Sequence, residues 1–249
     1  MRIILKSPSE LQKMRASGLL VHRLLEDLRA MVEPGVTTLD LEKVAARKIA
    51  SAGAKPAFQG YRGFPAVLCT SVNHEIIHGI PSAKRTLRKG DILKIDTGVI
   101  LDGYYGDSAT TVAVGKIAPE VQALMDATRE SLWVGIENAK AGGHLYDICG
   151  SIQDYVESRG YSVVREFVGH GVGRKLHEDP SVPNYRNGPN PRLREGMVLA
   201  IEPMVNQGKA DTKVLDDKWT AVAVDGKCSA HYEHTVAITK DGPWVLTQP

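Results

Sequence analysis

Four carboxylates and one imidazole stand in separate strand-like segments of the chain. They are Asp96, Asp107, His170, Glu202 and Glu233. Buried together without a counter-charge, these groups would repel one another and the pKa values of the carboxyl groups would rise, which costs folding free energy. Oxygen-rich ligand sets with an imidazole suit hard or borderline divalent ions such as manganese, iron(II) and cobalt. The residues therefore predict a two-metal site that performs hydrolysis.

The five residues lie in longer motifs that follow one another along the chain. The motifs are KID at 94–96, YGD at 105–107, GHGVGR at 169–174, HE at 177–178, IEPMV at 201–205 and YEHT at 232–235. A single GHGxG would carry little weight, but linked motifs in register carry much more. In this order and spacing, the chain resembles the type I methionine aminopeptidases over nearly its whole length.

The resemblance implies a role for each ligand. Asp107 and Glu233 would each bridge two divalent ions, Asp96 would hold one ion, and His170 and Glu202 would hold the other. Cobalt, manganese and iron(II) are the expected metals, with zinc and nickel as further candidates. A hydroxide held between the metals would attack the scissile carbonyl, with Glu202 as the general base.

Two further histidines match the active-site histidines of that family that do not bind metal. His177 is expected to donate a hydrogen bond to the substrate carbonyl as it becomes an oxyanion, and His78 to contact the scissile amide nitrogen. The positions that match the pocket for the methionine side chain are Tyr61, Phe64, Cys69, Leu176 and Trp219. An aromatic, sulfur-lined pocket suits a thioether.

Three pocket positions differ from many members of the family. Relatives often carry a cysteine at the position of Phe58, a tyrosine at Phe64 and a phenylalanine at Leu176. All three replacements remain apolar, so a methionine preference is still expected while the shape of the pocket changes.

Four helices that position these residues are predicted in two pairs. The segment 7–10 reads Ser-Pro-Ser-Glu, a capping box with proline at the first helical position, and apolar residues continue at helical spacing to about residue 32. Further helices are predicted over 38–53, 119–141 and 145–160.

The two helix pairs match at a constant offset of 107 residues. The matching positions are Gly35 and Gly142, Asp40 and Asp147, Leu41 and Ile148, Ile49 and Val156, and Gly53 and Gly160. This predicts one catalytic domain over 1–249, built of two related halves. The resemblance implies the same α+β architecture, the pita-bread fold, in which pseudo-two-fold related helix pairs pack on a curved antiparallel sheet.

Strands are clearest around the carboxylates. Asp102 and Gly103 form a hairpin turn signal between strands predicted over 91–98 and 104–114. That turn would set Asp96 opposite Ala109, so that Asp96 and Asp107 share one face as diagonal neighbours. Further strands are predicted over 196–205 and 219–238, carrying Glu202 and Glu233.

The composition limits the cellular compartment and the binding partners that are expected for the protein. Its 43% hydrophobic and 24% charged residues are ordinary for a globular chain, and no 18-residue apolar run suggests a membrane span. Three cysteines without CxxC spacing favour a reducing cytoplasm. The net charge of +2 does not favour DNA. The basic cluster at 84–89 is expected to be a solvated loop, with weak contact to RNA or an acidic surface as the alternative.

The expected substrates are nascent polypeptides whose second residue is small and uncharged, and the expected enzyme is a monomer with the ribosome surface as a candidate partner.

Two other functions are weighed against this one. An Xaa-Pro aminopeptidase or prolidase shares the ligand set but usually has a large N-terminal domain, whereas here the first ligand is already residue 96. A non-catalytic binding module would be expected to lose ligands. A type II methionine aminopeptidase carries an inserted subdomain, and the 25 residues from His177 to Glu202 leave no room for one.

Overall fold

The computed structural model describes residues 2–249 of the chain. The helices are α1 (Pro8–Arg29), α2 (Thr38–Ser51), α3 (Pro119–Glu137) and α4 (Leu145–Glu157), and a short 3₁₀ helix spans Tyr61–Gly63. The strands are β1 (Lys55–Pro56), β2 (Leu68–Val72), β3 (Glu75–Ile77), β4 (Ile92–Leu101), β5 (Tyr104–Ala113), β6 (Ser162–Val163), β7 (Gly169–Gly171), β8 (Glu178–Val182), β9 (Val198–Ile201), β10 (Met204–Asn206), β11 (Thr212–Val214), β12 (Ala221–Ala223), β13 (Ser229–His231), β14 (Glu233–Thr239) and β15 (Gly242–Val245). None of the helices described over 2–249 is long and apolar enough to cross a membrane.

The four predicted helices are confirmed, and all four end two to four residues earlier than predicted. The capping box of α1 is present: Glu10 N–H donates to Ser7 Oγ at 3.4 Å, and Ser7 N–H donates to Glu10 Oε2 at 2.9 Å. This helix ends at Arg29, where the C-cap Ala30 donates its N–H to the Glu26 carbonyl at 3.1 Å. Helix α3 ends where Asn138 donates its side-chain amide to a carbonyl of the last turn.

The two helix pairs are related as their offset predicts. Asp40 Oδ2 accepts the Thr37 N–H at the start of α2, at 3.1 Å, and Asp147 Oδ2 accepts the His144 N–H at the start of α4, at 2.7 Å. The preceding loops also correspond, because Gly35 and Gly142 both have positive φ, at 100° and 91°. The repeat is therefore made of helix starts and the turns that lead into them.

The repeat extends into the sheet, which the sequence comparison at offset 107 missed. Residues 89–96 (KGDILKID) and 195–202 (EGMVLAIE) occupy equivalent places at an offset of 106. The second residue of each segment is a glycine with positive φ, Gly90 at 97° and Gly196 at 84°. Each segment then continues into β4 or β9. Asp96 and Glu202 end the two segments, so two of the five predicted ligands are equivalent positions of the two halves.

Both halves contribute to one nine-stranded sheet, in the order β1-β4-β5-β14-β9-β7-β8, with β2 beside β4 and β15 beside β14. The β4–β5 hairpin has the predicted register, with Asp96 opposite Ala109 and Gly98 opposite Asp107. Asp102 and Gly103 both have positive φ, as the two-residue turn requires.

One prediction about the strands is wrong. Glu202 does not lie inside a strand, because β9 ends at Ile201 and β10 begins at Met204. Pro203 lies in this break and has no N–H to donate to a ladder. The segment 219–238 is likewise divided into β12, β13 and the start of β14.

The helices cover one face of the sheet. Alternate residues of β4 (Leu93, Ile95 and Val99) pack with α1 and α2 in one apolar cluster. Leu199 and Ile201 of β9 pack with α3 and α4 in another. Because side chains alternate along a strand, Asp96 and Ala200 face the opposite side of the sheet.

Candidate metal and active site

The strand register brings the five predicted ligands to one face of the sheet. Asp96 on β4 and Glu233 on β14 are both paired with Ala109 of β5, so the two carboxylates flank this small residue. Asp107 lies two residues from Ala109 and shares its face. On the other side, His170 of β7 pairs with Ala200, and Ala200 pairs with Thr235, two residues after Glu233.

His170 lies among the carboxylates. Its Nε2 is 3.6 Å from Glu202 Oε1 and 3.8 Å from Asp107 Oδ2, and Asp107, His170 and Glu233 offer ligand atoms within 4.8 Å of one another. The other ring nitrogen, Nδ1, lies 2.9 Å from the Gly171 carbonyl oxygen, which can only accept a hydrogen bond. Nδ1 therefore carries the proton and Nε2 presents a lone pair to the carboxylates.

Buried oxygens at this site need a counter-charge. Asp96 Oδ1, Asp107 Oδ1 and Glu233 Oε1 are buried and have no hydrogen-bond partner among the described residues. Buried polar atoms are normally paired, so three unpaired carboxylate oxygens at one site are a cost that bound cations would remove. The donor set of four carboxylates and one imidazole suits divalent ions, so the residues present fit the predicted metals.

The acid–base state of the site leads to the same conclusion. Burial raises the pKa of Asp107 to about 7. The pKa values of Asp96, Glu202 and Glu233 lie well above their usual range, first because of burial and second because the carboxylates repel one another. Burial lowers the pKa of His170 to about 3, so its imidazole is neutral and able to bind a metal.

His177 lies beside the ligand cluster. Its ring centroid is 4.1 Å from that of His170, and its Nδ1 is 2.8 Å from the Tyr61 hydroxyl oxygen. Burial, with a smaller contribution from the Arg62 guanidinium, lowers the pKa of His177. The imidazole is therefore neutral at physiological pH, with one nitrogen held by Tyr61.

His78 lines the same cavity. It meets Phe167 and Trp219 edge to face, at ring-centroid distances of 5.7 Å and 6.3 Å. Its φ of 60° is unusual for a residue with a Cβ, and such strain is typical of functional positions. Burial lowers the pKa of His78 to about 4, so this imidazole is also neutral.

The five predicted pocket residues lie together. Phe64, Cys69 and Leu176 belong to one apolar cluster, against which Tyr61 and Trp219 pack. Phe58, one of the positions that differ from many relatives, is part of the same cluster and is buried. These residues, both histidines and all five predicted ligands line one cavity of about 300 Å³.

Comparison with known proteins identifies the family of the chain that contains this cavity. Residues 12–240 match the model of metallopeptidase family M24. The methionine aminopeptidase of Clostridium acetobutylicum is 52% identical over 246 residues, which cover 98% of each chain. The crystal structure of the methionine aminopeptidase from Thermotoga maritima superposes with a TM-score of 0.97, at 44% identity over the whole of both chains.

The chain belongs to metallopeptidase family M24, among the methionine aminopeptidases. It is a metal-dependent hydrolase with the pita-bread fold, as the resemblance implied. The prolidase of Pyrococcus furiosus also superposes, with a TM-score of 0.81, but it is 22% identical and only 66% of its chain is covered. That likeness shows the fold alone.

Several further residues at the site of this M24 peptidase were not predicted, four of them polar or aromatic. Arg62, Glu166 and Phe167 line the cavity. His231 is buried behind Glu202, with its Nε2 3.8 Å from Glu202 Oε2, and neither ring nitrogen has a hydrogen-bond partner within residues 2–249. In the sequence, His231 could have been found from its position two residues before the predicted ligand Glu233. Nothing local in the sequence marks the other three.

Proposed function

We propose that the chain removes the N-terminal methionine of nascent polypeptides when the second residue is Gly, Ala, Ser, Thr, Pro, Val or Cys. The observation that carries this proposal is a single cavity of about 300 Å³ shared by an apolar, aromatic pocket and the carboxylate–imidazole cluster. A flexible thioether suits the pocket, and a pocket that encloses the first side chain leaves little room for a large second one.

The cofactors in this proposal are two divalent ions held by Asp96, Asp107, His170, Glu202 and Glu233. By the resemblance, Asp107 and Glu233 would be the residues that serve both ions, since a carboxylate can serve two cations whereas one imidazole nitrogen cannot. Cobalt, manganese and iron(II) are the candidates, followed by zinc and nickel. Bound ions would lower the pKa of a water molecule and polarise the scissile carbonyl.

Glu202 is the proposed general base. Its side chain is 12% exposed and lines the cavity, so it reaches both the ligand cluster and the space for substrate. The carboxylate would take a proton from the attacking water and pass it to the leaving amine. Such proton transfer typically contributes about 10²–10⁴-fold to the rate.

The two histidines would act on the substrate amide. If the Tyr61 hydroxyl donates to Nδ1 of His177, the proton of this neutral ring lies on Nε2, which is free to donate to the carbonyl oxygen as it becomes anionic. His78, which lines the same cavity, would contact the scissile amide nitrogen. Tyr61 thereby acts as a positioning residue as well as a pocket wall.

The setting of the enzyme is part of the proposal. We place it in the cytoplasm as a monomer, where its substrates emerge from the ribosome. The three cysteines are free, which suits a reducing compartment. Docking on the ribosome surface stays a prediction.

The test is the activity of metal-stripped protein on Met-Ala-Ser after manganese, iron(II), cobalt or zinc is added separately. We expect no turnover without metal, and turnover with at least one of the four ions. Leu-Ala-Ser and Xaa-Pro peptides are the matched controls. Faster cleavage of either control would contradict the methionine assignment, and inactivity with every metal would favour a binding module.

A further inference from the structure

A buried ion pair lies beneath the loop that carries His177. Lys6 Nζ donates to Glu178 Oε2 at 2.6 Å, and both side chains are 4% exposed. Glu178 immediately follows His177 at the start of β8, while Lys6 belongs to the segment that leads into α1. The pair therefore joins residues 172 positions apart, next to a proposed substrate-binding histidine.

The Glu178 carboxylate also holds the loop from inside. Its Oε1 accepts the backbone N–H groups of Arg174 and Lys175, at 2.9 Å and 3.2 Å. Leu176 and His177 lie between these amides and Glu178, so the carboxylate closes a ring around both residues. The carboxylate accepts hydrogen bonds from one ammonium group and two backbone amides. Hydrogen bonds to an ionised group are stronger than those between neutral groups.

Lys6 is itself anchored. Its N–H donates to the Gly196 carbonyl at 2.7 Å, and its ammonium group also donates to the Ile4 carbonyl at 3.0 Å. A Cβ on Gly173 would lie 2.5 Å from Lys6 Cε and 2.7 Å from Glu178 Oε1, so a side chain at this position would displace the pair. The anchor therefore continues to the turn before β9, the strand that leads to Glu202.

We infer that the Lys6–Glu178 pair is a positioning device that fixes the 174–178 loop, and through it the His177 imidazole and the Leu176 pocket wall. This inference rests on the proposed function of His177. A buried pair of this kind is weak evidence for stability, so the inference rests on its contacts with the loop. Displacement of a reacting group by about 1 Å can cost on the order of 10²-fold in rate.

The test is steady-state kinetics of metal-loaded Lys6→Met on Met-Ala-Ser, alone and combined with His177→Ala. We expect kcat to fall about 10–10²-fold in Lys6→Met, with unchanged metal content. In the His177→Ala background, the same change should lower kcat little further, because the group it positions is already absent. Lys6→Arg, which keeps the cation, should restore much of the rate.

The matched control is Lys48→Met. Lys48 makes an ion pair with Asp27 at 2.7 Å between α2 and α1, with both side chains about half exposed. Its removal should leave kcat unchanged.

Two results would overturn the inference: wild-type kcat in folded Lys6→Met, or an equal and additive loss in the His177→Ala background. If Lys6→Met folds poorly, Glu178→Gln takes its place, because the amide keeps the shape and an acceptor oxygen but not the charge. Wild-type kcat in folded Glu178→Gln would overturn the inference as well. An inactive wild-type enzyme on Met-Ala-Ser would instead contradict the proposed function, so the two failures are distinguishable.

Discussion

The two halves of the molecule share a scaffold but contribute differently to the site. The first half supplies Asp96 and Asp107, both carboxylates, whereas the second supplies His170, Glu202 and Glu233. Equivalent segments end at Asp96 and Glu202. The halves therefore both place a carboxylate at the end of the equivalent segment, and they differ in the neighbouring strands.

The two halves differ most clearly at Lys94 and Ala200, which are equivalent positions at the offset of 106 residues. Ala200 on β9 is small and is paired with the predicted ligand His170 on β7. Lys94 on β4 is paired with Ser71 on β2, and its buried ammonium donates to the Asn73 carbonyl at 2.6 Å. One half therefore places a predicted metal ligand beside this position, and the other fixes a turn. Caps and turn glycines repeat because both halves need them, while the residues that face the site differ.

The largest effect is expected from the carboxylate assigned as a bridge in the first half. Asp107→Asn should abolish activity and metal binding together, because a neutral amide is a poor bridge between two cations. Asp102→Asn makes the same chemical change in the hairpin turn, where asparagine tolerates a positive φ, and should be silent. Metal analysis and peptide hydrolysis test both variants, and a metal-loaded, active Asp107→Asn would remove its assigned role.

The equivalent carboxylates Asp96 and Glu202 should respond differently to substitution. Asp96→Asn removes a ligand, so excess metal should restore part of its activity. Glu202→Gln also removes the proposed base, so turnover should stay about 10²–10⁴-fold low at saturating metal. Activity titrated with metal distinguishes the two variants. Near wild-type turnover of metal-loaded Glu202→Gln would make its base role wrong.

His177→Ala should mainly lower kcat. Removing one donor to an oxygen that is anionic only in the transition state typically costs about 10²–10³-fold in kcat, while KM changes little. The metals should stay in place, since this residue of the second half is not a ligand. Steady-state kinetics with metal analysis is the measurement. Rescue by excess metal, or a higher KM at unchanged kcat, would reject the role.

The smallest expected effect is on stability. The pKa of Asp107 is about 7 in the fold, against about 3.9 in an unfolded chain. Between these values Asp107 binds more protons in the folded metal-free protein than in the unfolded chain, so this group makes the free energy of unfolding fall as the pH rises, and its contribution levels off above about 7. The decline should amount to a few kcal/mol. Urea unfolding from about pH 5 to about pH 8 measures it.

Metal-loaded protein is the control for that measurement. Bound cations keep the carboxylates ionised, so this decline should be absent. Equal pH slopes with and without metal would mean that burial does not raise the pKa of Asp107 as described.

Local sequence determined the helices, their caps and the central hairpin. Ser7 with Glu10 and the Asp102-Gly103 turn act through hydrogen bonds and backbone angles within a few residues, so a short stretch of chain contains all that is needed to predict them. The five ligands and both histidines were also predictable, through motifs whose order and spacing resemble a family. Their roles stay predictions.

Tertiary structure decided what distant strands bring together. The strand order β4-β5-β14-β9-β7 places Glu233 opposite Ala109 and His170 opposite Ala200, and no local sequence pattern encodes those registers. Arg62 and Glu166 reach the cavity, and Lys6 reaches Glu178, only because the chain returns there after long separations. Turns and caps are local interactions, whereas a buried cluster of like charges depends on long-range packing to hold it together.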